Sequence, residues 1–141
     1  MSIISTLQTY LKDYSELKTD APVWVDFLGP NPTEYTIVPI AGGRIVETYI
    51  TGKSLRMYPF AFQSMSSTAD ELERLETQGF FEAFAAWLES QTEAGDLPDM
   101  DEGQIATEIE ALGWAYLFQE GTSDTGIYQI QAQLLYEQEA L

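Results

Sequence analysis

Residues Ser54–Leu88, SLRMYPFAFQSMSSTADELERLETQGFFEAFAAWL, decide the fold. The first part carries Leu55, Met57, Tyr58, Phe60 and Phe62 and reads as a strand rich in β-favouring aromatics. Pro59 cannot donate to a ladder, so a bulge or a local edge is expected there. A polar break follows, and Thr68-Ala69-Asp70-Glu71 has the form of a capping box. A helix through Leu72 and Leu75 is expected next. Gly79 is predicted to interrupt it, with Phe80, Phe81, Phe84, Trp87 and Leu88 forming a second helix or a continuation after a kink. Aromatics at both ends of the stretch predict that strand and helix fold back on one another to make the core.

Upstream, Arg44–Thr51 and Ser54–Ser64 read as a hairpin turning at Gly52-Lys53, after a flexible joint at Ala41-Gly42-Gly43. Further back, Val23–Leu28 alternates like a strand, Gly29–Pro32 is a turn, and Glu34–Ile40 is a second strand. Residues 3–18 read as an amphipathic helix with Ile3, Ile4, Leu7 and Leu11 on one face, capped by Ser2 or Ser5. Downstream, Ala94–Gly103 is an acidic loop. Ile105–Gln119 and Gly126–Gln138 form a second hairpin turning through Gly121–Gly126. In its last strand Tyr128, Ile130, Ala132, Leu134 and Tyr136 alternate with Gln129, Gln131 and Gln133, which gives one apolar and one uncharged polar face. The order α-β-β-β-β-α-α-β-β predicts an α+β fold, a largely antiparallel sheet with helices on one face, in a single domain over residues 1–141.

A chain of 141 residues buries roughly 70% of its unfolded surface and can fold without a metal or disulfide. It has no Cys and no His, which removes disulfides, thiolate zinc sites and the usual nucleophile–imidazole pairs. Ser15-Glu16-Leu17-Lys18 matches the Ser-x-x-Lys pattern of some acyl-transfer enzymes, but the companion motifs are missing. The acidic loop fails the calcium-loop pattern: with Gly103 at the sixth position, Pro98 and Met100 fall on ligand positions. The opening MSIISTLQTYLKDY lacks a basic region with a continuous apolar core. Ala111–Phe118 is far short of the ~20 apolar residues of a membrane span, so a soluble protein made in the cytoplasm is expected.

Charge divides the chain. The formal net charge is −17. All six cations, Lys12, Lys18, Arg44, Lys53, Arg56 and Arg74, lie in residues 1–74 beside nine acids. Residues 75–141 hold fourteen acids and no cation. Such a surface repels phosphates, so neither stable nucleic-acid binding nor an anionic membrane is an expected partner. Half the cations, Arg44, Lys53 and Arg56, sit on or near one hairpin, which reads either as solvated or as a docking arm. The Gln129, Gln131 and Gln133 face reads either as solvated or as packed on another subunit, where unpaired charge would be costly.

Several features together resemble one family. They are Tyr49-Ile50-Thr51-Gly52 with Ser54–Phe62, Gly79-Phe80-Phe81 with Phe84 and Trp87-Leu88, Leu97-Pro98 before Asp101-Glu102-Gly103, and Tyr128–Gln131 with Leu135-Tyr136. In order and spacing, over nearly the whole chain, they are similar to the minor capsid or tail-terminator proteins of siphophages and of prophages in low-GC Gram-positive bacteria. The resemblance implies a virion tail protein, assembled in the host bacterial cytoplasm and without enzymatic activity or cofactor. Its expected partners are itself, as a hexameric ring, the major tail tube protein and a head connector or stopper protein. In that setting Arg44, Lys53, Arg56, Gln129, Gln131 and Gln133 are the expected subunit or partner contacts. Another head–tail joining component, a stopper or adaptor, fits the same residues. An acidic DNA mimic would need regularly spaced surface carboxylates. An enzyme using paired carboxylates would have only Asp99, Asp101 and Glu102 as a dense group.

Overall fold

A computed structural model describes residues 2–14, 23–25, 35–67, 71–120 and 125–140. The fold is α+β: a mostly antiparallel seven-stranded sheet with two helices on one face. The strands are β1 (Val23–Val25), β2 (Tyr35–Pro39), β3 (Arg44–Thr48), β4 (Ser54–Ser67), β5 (Gln104–Ala111), β6 (Tyr116–Glu120) and β7 (Thr125–Gln138). The helices are α1 (Ile3–Leu11) and α2 (Glu71–Ala94).

Two long strands form the spine. β4 and β7 pair antiparallel along their whole length, from Ser54 opposite Gln138 to Ser67 opposite Thr125. Each carries two short strands on its outer edge. β3 and then β2 run along β4, and β5 and then β6 run along β7. β1 extends the sheet beyond β2, the one parallel pair among the described residues.

Pro59 falls where the outer edge of β4 changes partner. Pairing with β3 ends at Met57 and pairing with β2 begins at Phe60. The Pro59 carbonyl accepts from the Ile40 amide at 3.1 Å, so the missing N–H also points into this gap and no ladder bond to β7 is lost. Of the two expectations at Pro59, the local edge is the one realised. The register shifts instead in β3, between Ile45 and Glu47.

The alternation expected of the last strand holds. Tyr128, Ile130, Ala132, Leu134 and Tyr136 are buried against the helices, together with Phe60 and Phe62 of β4 and Ile37 of β2. Phe62 stacks on Phe84 of α2 at a centroid distance of 4.6 Å, and Tyr35 stacks on Phe62 at 5.7 Å. The strand and helix of the opening stretch thus meet through Phe62 and Phe84.

Three element boundaries differ from expectation. The first helix ends at Leu11, not at residue 18, with a tightened last turn in which Tyr14 N–H donates to the Leu11 carbonyl. Tyr14 leaves the helix to pack on Phe80, Phe84 and Trp87, and its hydroxyl donates to the Phe80 carbonyl. α2 runs unbroken through Gly79, giving one helix where two were considered. The buried anchors Phe81, Phe84 and Leu88 offset the ~1 kcal/mol that a helical glycine costs. Residues Ile105–Gln119 are not one strand. They bend at residues 112–115, so β5 follows one half of β7 and β6 the other. The order is therefore α-β-β-β-β-α-β-β-β.

Ser2 is the cap of α1, its hydroxyl accepting from the Ser5 amide at 3.2 Å. At the end of α2, Gly95 (φ +75°) and Asp96 donate to the Thr92 and Gln91 carbonyls, the paired bonds of a Schellman stop. The turn at Gly29–Pro32, the Ser15–Lys18 motif, residues 26–28 of the first predicted strand, the cap at Thr68 and residues 121–124 lie outside the described residues.

Candidate interaction surfaces

The β3–β4 hairpin forms as predicted. Tyr49 and Lys53 close its turn through a 2.8 Å amide–carbonyl bond, and Gly52 takes φ +90° within it. Every residue of β3 is exposed, including Ile45 and Val46, and Ile50 at the tip is fully exposed. Among the described residues β3 pairs only with β4, so its outer backbone edge is free to accept a partner. Arg44, Lys53 and Arg56 share this hairpin but not one face. Arg44 lies opposite Met57, on the sheet face away from the helices. Arg56 lies opposite Tyr136, on the helix face, and its Nε donates to the Ser54 hydroxyl at 3.0 Å. Glu47 is the one acid among residues 44–56, leaving the hairpin net positive.

The glutamine row is largely committed within the chain. Gln63 donates to Gln129 Oε1 at 2.7 Å, and Gln129 Nε2 donates to the Tyr116 hydroxyl at 2.7 Å. Gln129 is only 6% exposed. Gln133 donates to the Glu110 carboxylate at 2.7 Å. These bonds tie β4, β7, β6 and β5 together on the face away from the helices. Gln131, with a longer 3.4 Å bond to Tyr116, is the one of the three left exposed.

The sequence marks residues 75–141 as an acidic, cation-free half that a basic hairpin could meet, but not the groove within it that forms the second surface. A groove of about 690 Å³ follows the outer edge of β5, between that strand, α2 and the bend into β6. Its α2 wall is the stripe Glu82, Ala85, Ala86, Glu89, Glu93, a helical spacing on the side away from Phe84 and Leu88. Leu112 and Trp114 close the far end, and Trp114 is 74% exposed. Glu108 and Glu110, two residues apart on one face of β5, line it as well. Burial raises the Glu108 pKa, and the Glu110 carboxylate beside it raises it further. The helical stripe of acids and alanines was present in the sequence. What brings it beside Trp114 is the strand bend, which the sequence pattern did not reveal.

The two surfaces lie on opposite edges of the sheet. Between β3 and β5 stand β4 and β7, three strand spacings or roughly 14 Å. One edge is basic and apolar, the other acidic and apolar. Among the described residues, no three or more Asp or Glu side chains come together as a metal cage, and no helix is long and apolar enough to cross a membrane. No protein-family model and no curated protein matches the chain in sequence.

Proposed function

We propose that this chain is a non-enzymatic structural protein of a phage virion, a ring that caps the end of the tail tube and offers the joining surface for the head. One observation carries this reading: the sheet ends in two unlike surfaces of opposite charge on opposite edges. An isologous dimer buries the same patch twice. Unlike patches on opposite sides favour a head-to-tail contact, which closes into a ring when the rotation per subunit allows. The resemblance along Tyr49–Phe62, Gly79–Leu88 and Tyr128–Tyr136 supplies the tail-end role and the six-fold count. Its partners in that role are further copies of itself, the major tail tube protein and a head connector or stopper protein.

A formal charge of −17 per subunit leaves a ring acidic beyond its subunit contacts, which suits a conduit for DNA. A bore lined by carboxylates gives phosphates nothing to bind, so the duplex can pass. The test is to add the purified protein to assembled tail tubes and image them. Density capping one end of each tube supports the reading. Bare tube ends at saturating protein contradict it.

A further inference from the structure

We infer that the β3–β4 hairpin of one copy seats in the α2–β5 groove of the next, with Arg44 and Lys53 meeting Glu89 and Glu93, and Ile50 meeting Leu112 and Trp114. This rests on the ring reading for the identity of the occupant, a second copy of the chain, and names the contact that would build the ring.

Three observations select that occupant. The first is charge. The hairpin is net positive in a chain of −17, and the groove wall carries Glu82, Glu89 and Glu93 with no cation among its lining residues. No ion pair ties Arg44 or Lys53 to an acid among the described residues, so their charges are available. The second is apolar match. Ile50 is fully exposed at the hairpin tip, and Trp114 and Leu112 are exposed at the groove end. Neither patch is covered by the described residues of its own chain. The third is placement. With β4 and β7 between them, a hairpin cannot reach the groove of its own subunit, so each copy offers one donor and one acceptor. Glu108 and Glu110 line the same groove and add two further carboxylates for a seated cation to face.

The test is a charge exchange. One variant carries Arg44→Glu and Lys53→Glu, the other Glu89→Lys and Glu93→Lys. Arg44, Glu89 and Glu93 are exposed and Lys53 is half-buried in a loop, and circular dichroism checks that each variant folds like the wild type. Sedimentation velocity then reads the mass. Each variant alone should lose self-association by more than tenfold. Their equimolar mixture should regain the wild-type mass, because every hairpin then meets a groove of opposite sign. A variant that assembles alone as the wild type does, or a mixture that stays monomeric, overturns the contact while leaving the ring free to form through another surface. A wild-type protein that stays monomeric at about 1 mM, where a contact of only about −4 kcal/mol would be half occupied, overturns the contact too. If it also fails to cap tail tubes, the ring reading falls with it.

Discussion

Thr92 on α2 and Ile109 on β5 are joined twice through a single hydroxyl. Thr92 Oγ1 accepts from the Ile109 amide at 3.1 Å and donates to the Ile109 carbonyl at 2.7 Å. Ile109 lies opposite Leu134 with its backbone groups turned away from β7, so the helix satisfies the outer edge of the sheet there. This pairing fixes α2 against β5 and thereby shapes the groove. Replacing Thr92 with Val keeps the branched shape and removes both bonds. A loss of about 1–3 kcal/mol in urea unfolding is expected. An unchanged midpoint would show that water replaces the hydroxyl at no cost.

Two glycines should respond with opposite sign. Gly79 lies inside α2, and an added Cβ there meets nothing within 4 Å. Gly79→Ala should stabilise by about 0.5–1 kcal/mol, because it lowers the chain entropy lost on forming the helix. Gly52 takes φ +90°, and an added Cβ would stand 2.9 Å from the Ala140 Cβ. Gly52→Ala should destabilise the hairpin tip and weaken self-association, read as a lower melting temperature together with a lower sedimentation coefficient.

The Glu108 pair predicts a pH effect. Its folded pKa lies above the ordinary value of 4.5, through burial first and then the charge of Glu110. The folded state therefore holds this proton more tightly than the unfolded state does. Stability from this group is greatest at acid pH and falls as the pH rises through that window. Glu108→Gln should raise the melting temperature at pH 7, and the gain should vanish below about pH 4, where the carboxyl is protonated in both states. Equal gains at both pH values would place the effect outside ionisation.

Removing the buried ring of Phe84 tests the core. It is fully buried and stacks on Phe62 at 4.6 Å. Phe84→Ala should cost about 3–5 kcal/mol. A smaller loss in urea unfolding would mean that α2 relaxes onto the sheet.

The strongest periodic signals in the sequence were legible. The alternation Tyr128–Tyr136 gave the buried face of β7, and the apolar and aromatic run around Phe60 and Phe62 gave the core strand. Boundaries set by tertiary contacts were not. Tyr14 has the right spacing to continue α1, yet its ring finds more contact among Phe80, Phe84 and Trp87 outside the helix. Gly79 looks like a breaker in isolation, and only the flanking phenylalanines on the sheet explain the unbroken helix. Of the expected contact residues, Arg44 and Lys53 stand on the exposed hairpin. Gln129 instead closes an internal network with Gln63 and Tyr116, a pairing across strands that spacing alone cannot reveal. The groove depends on the bend at residues 112–115, which a continuous strand pattern concealed.

The most direct test of the ring is the mass of the wild-type protein in solution by light scattering, alone and mixed with tail tube protein. With a subunit of 15.8 kDa, a six-fold ring has six times that mass, about 95 kDa. The account predicts that species, free or on tube ends. A particle of one subunit mass that ignores the tube protein under every condition would contradict it.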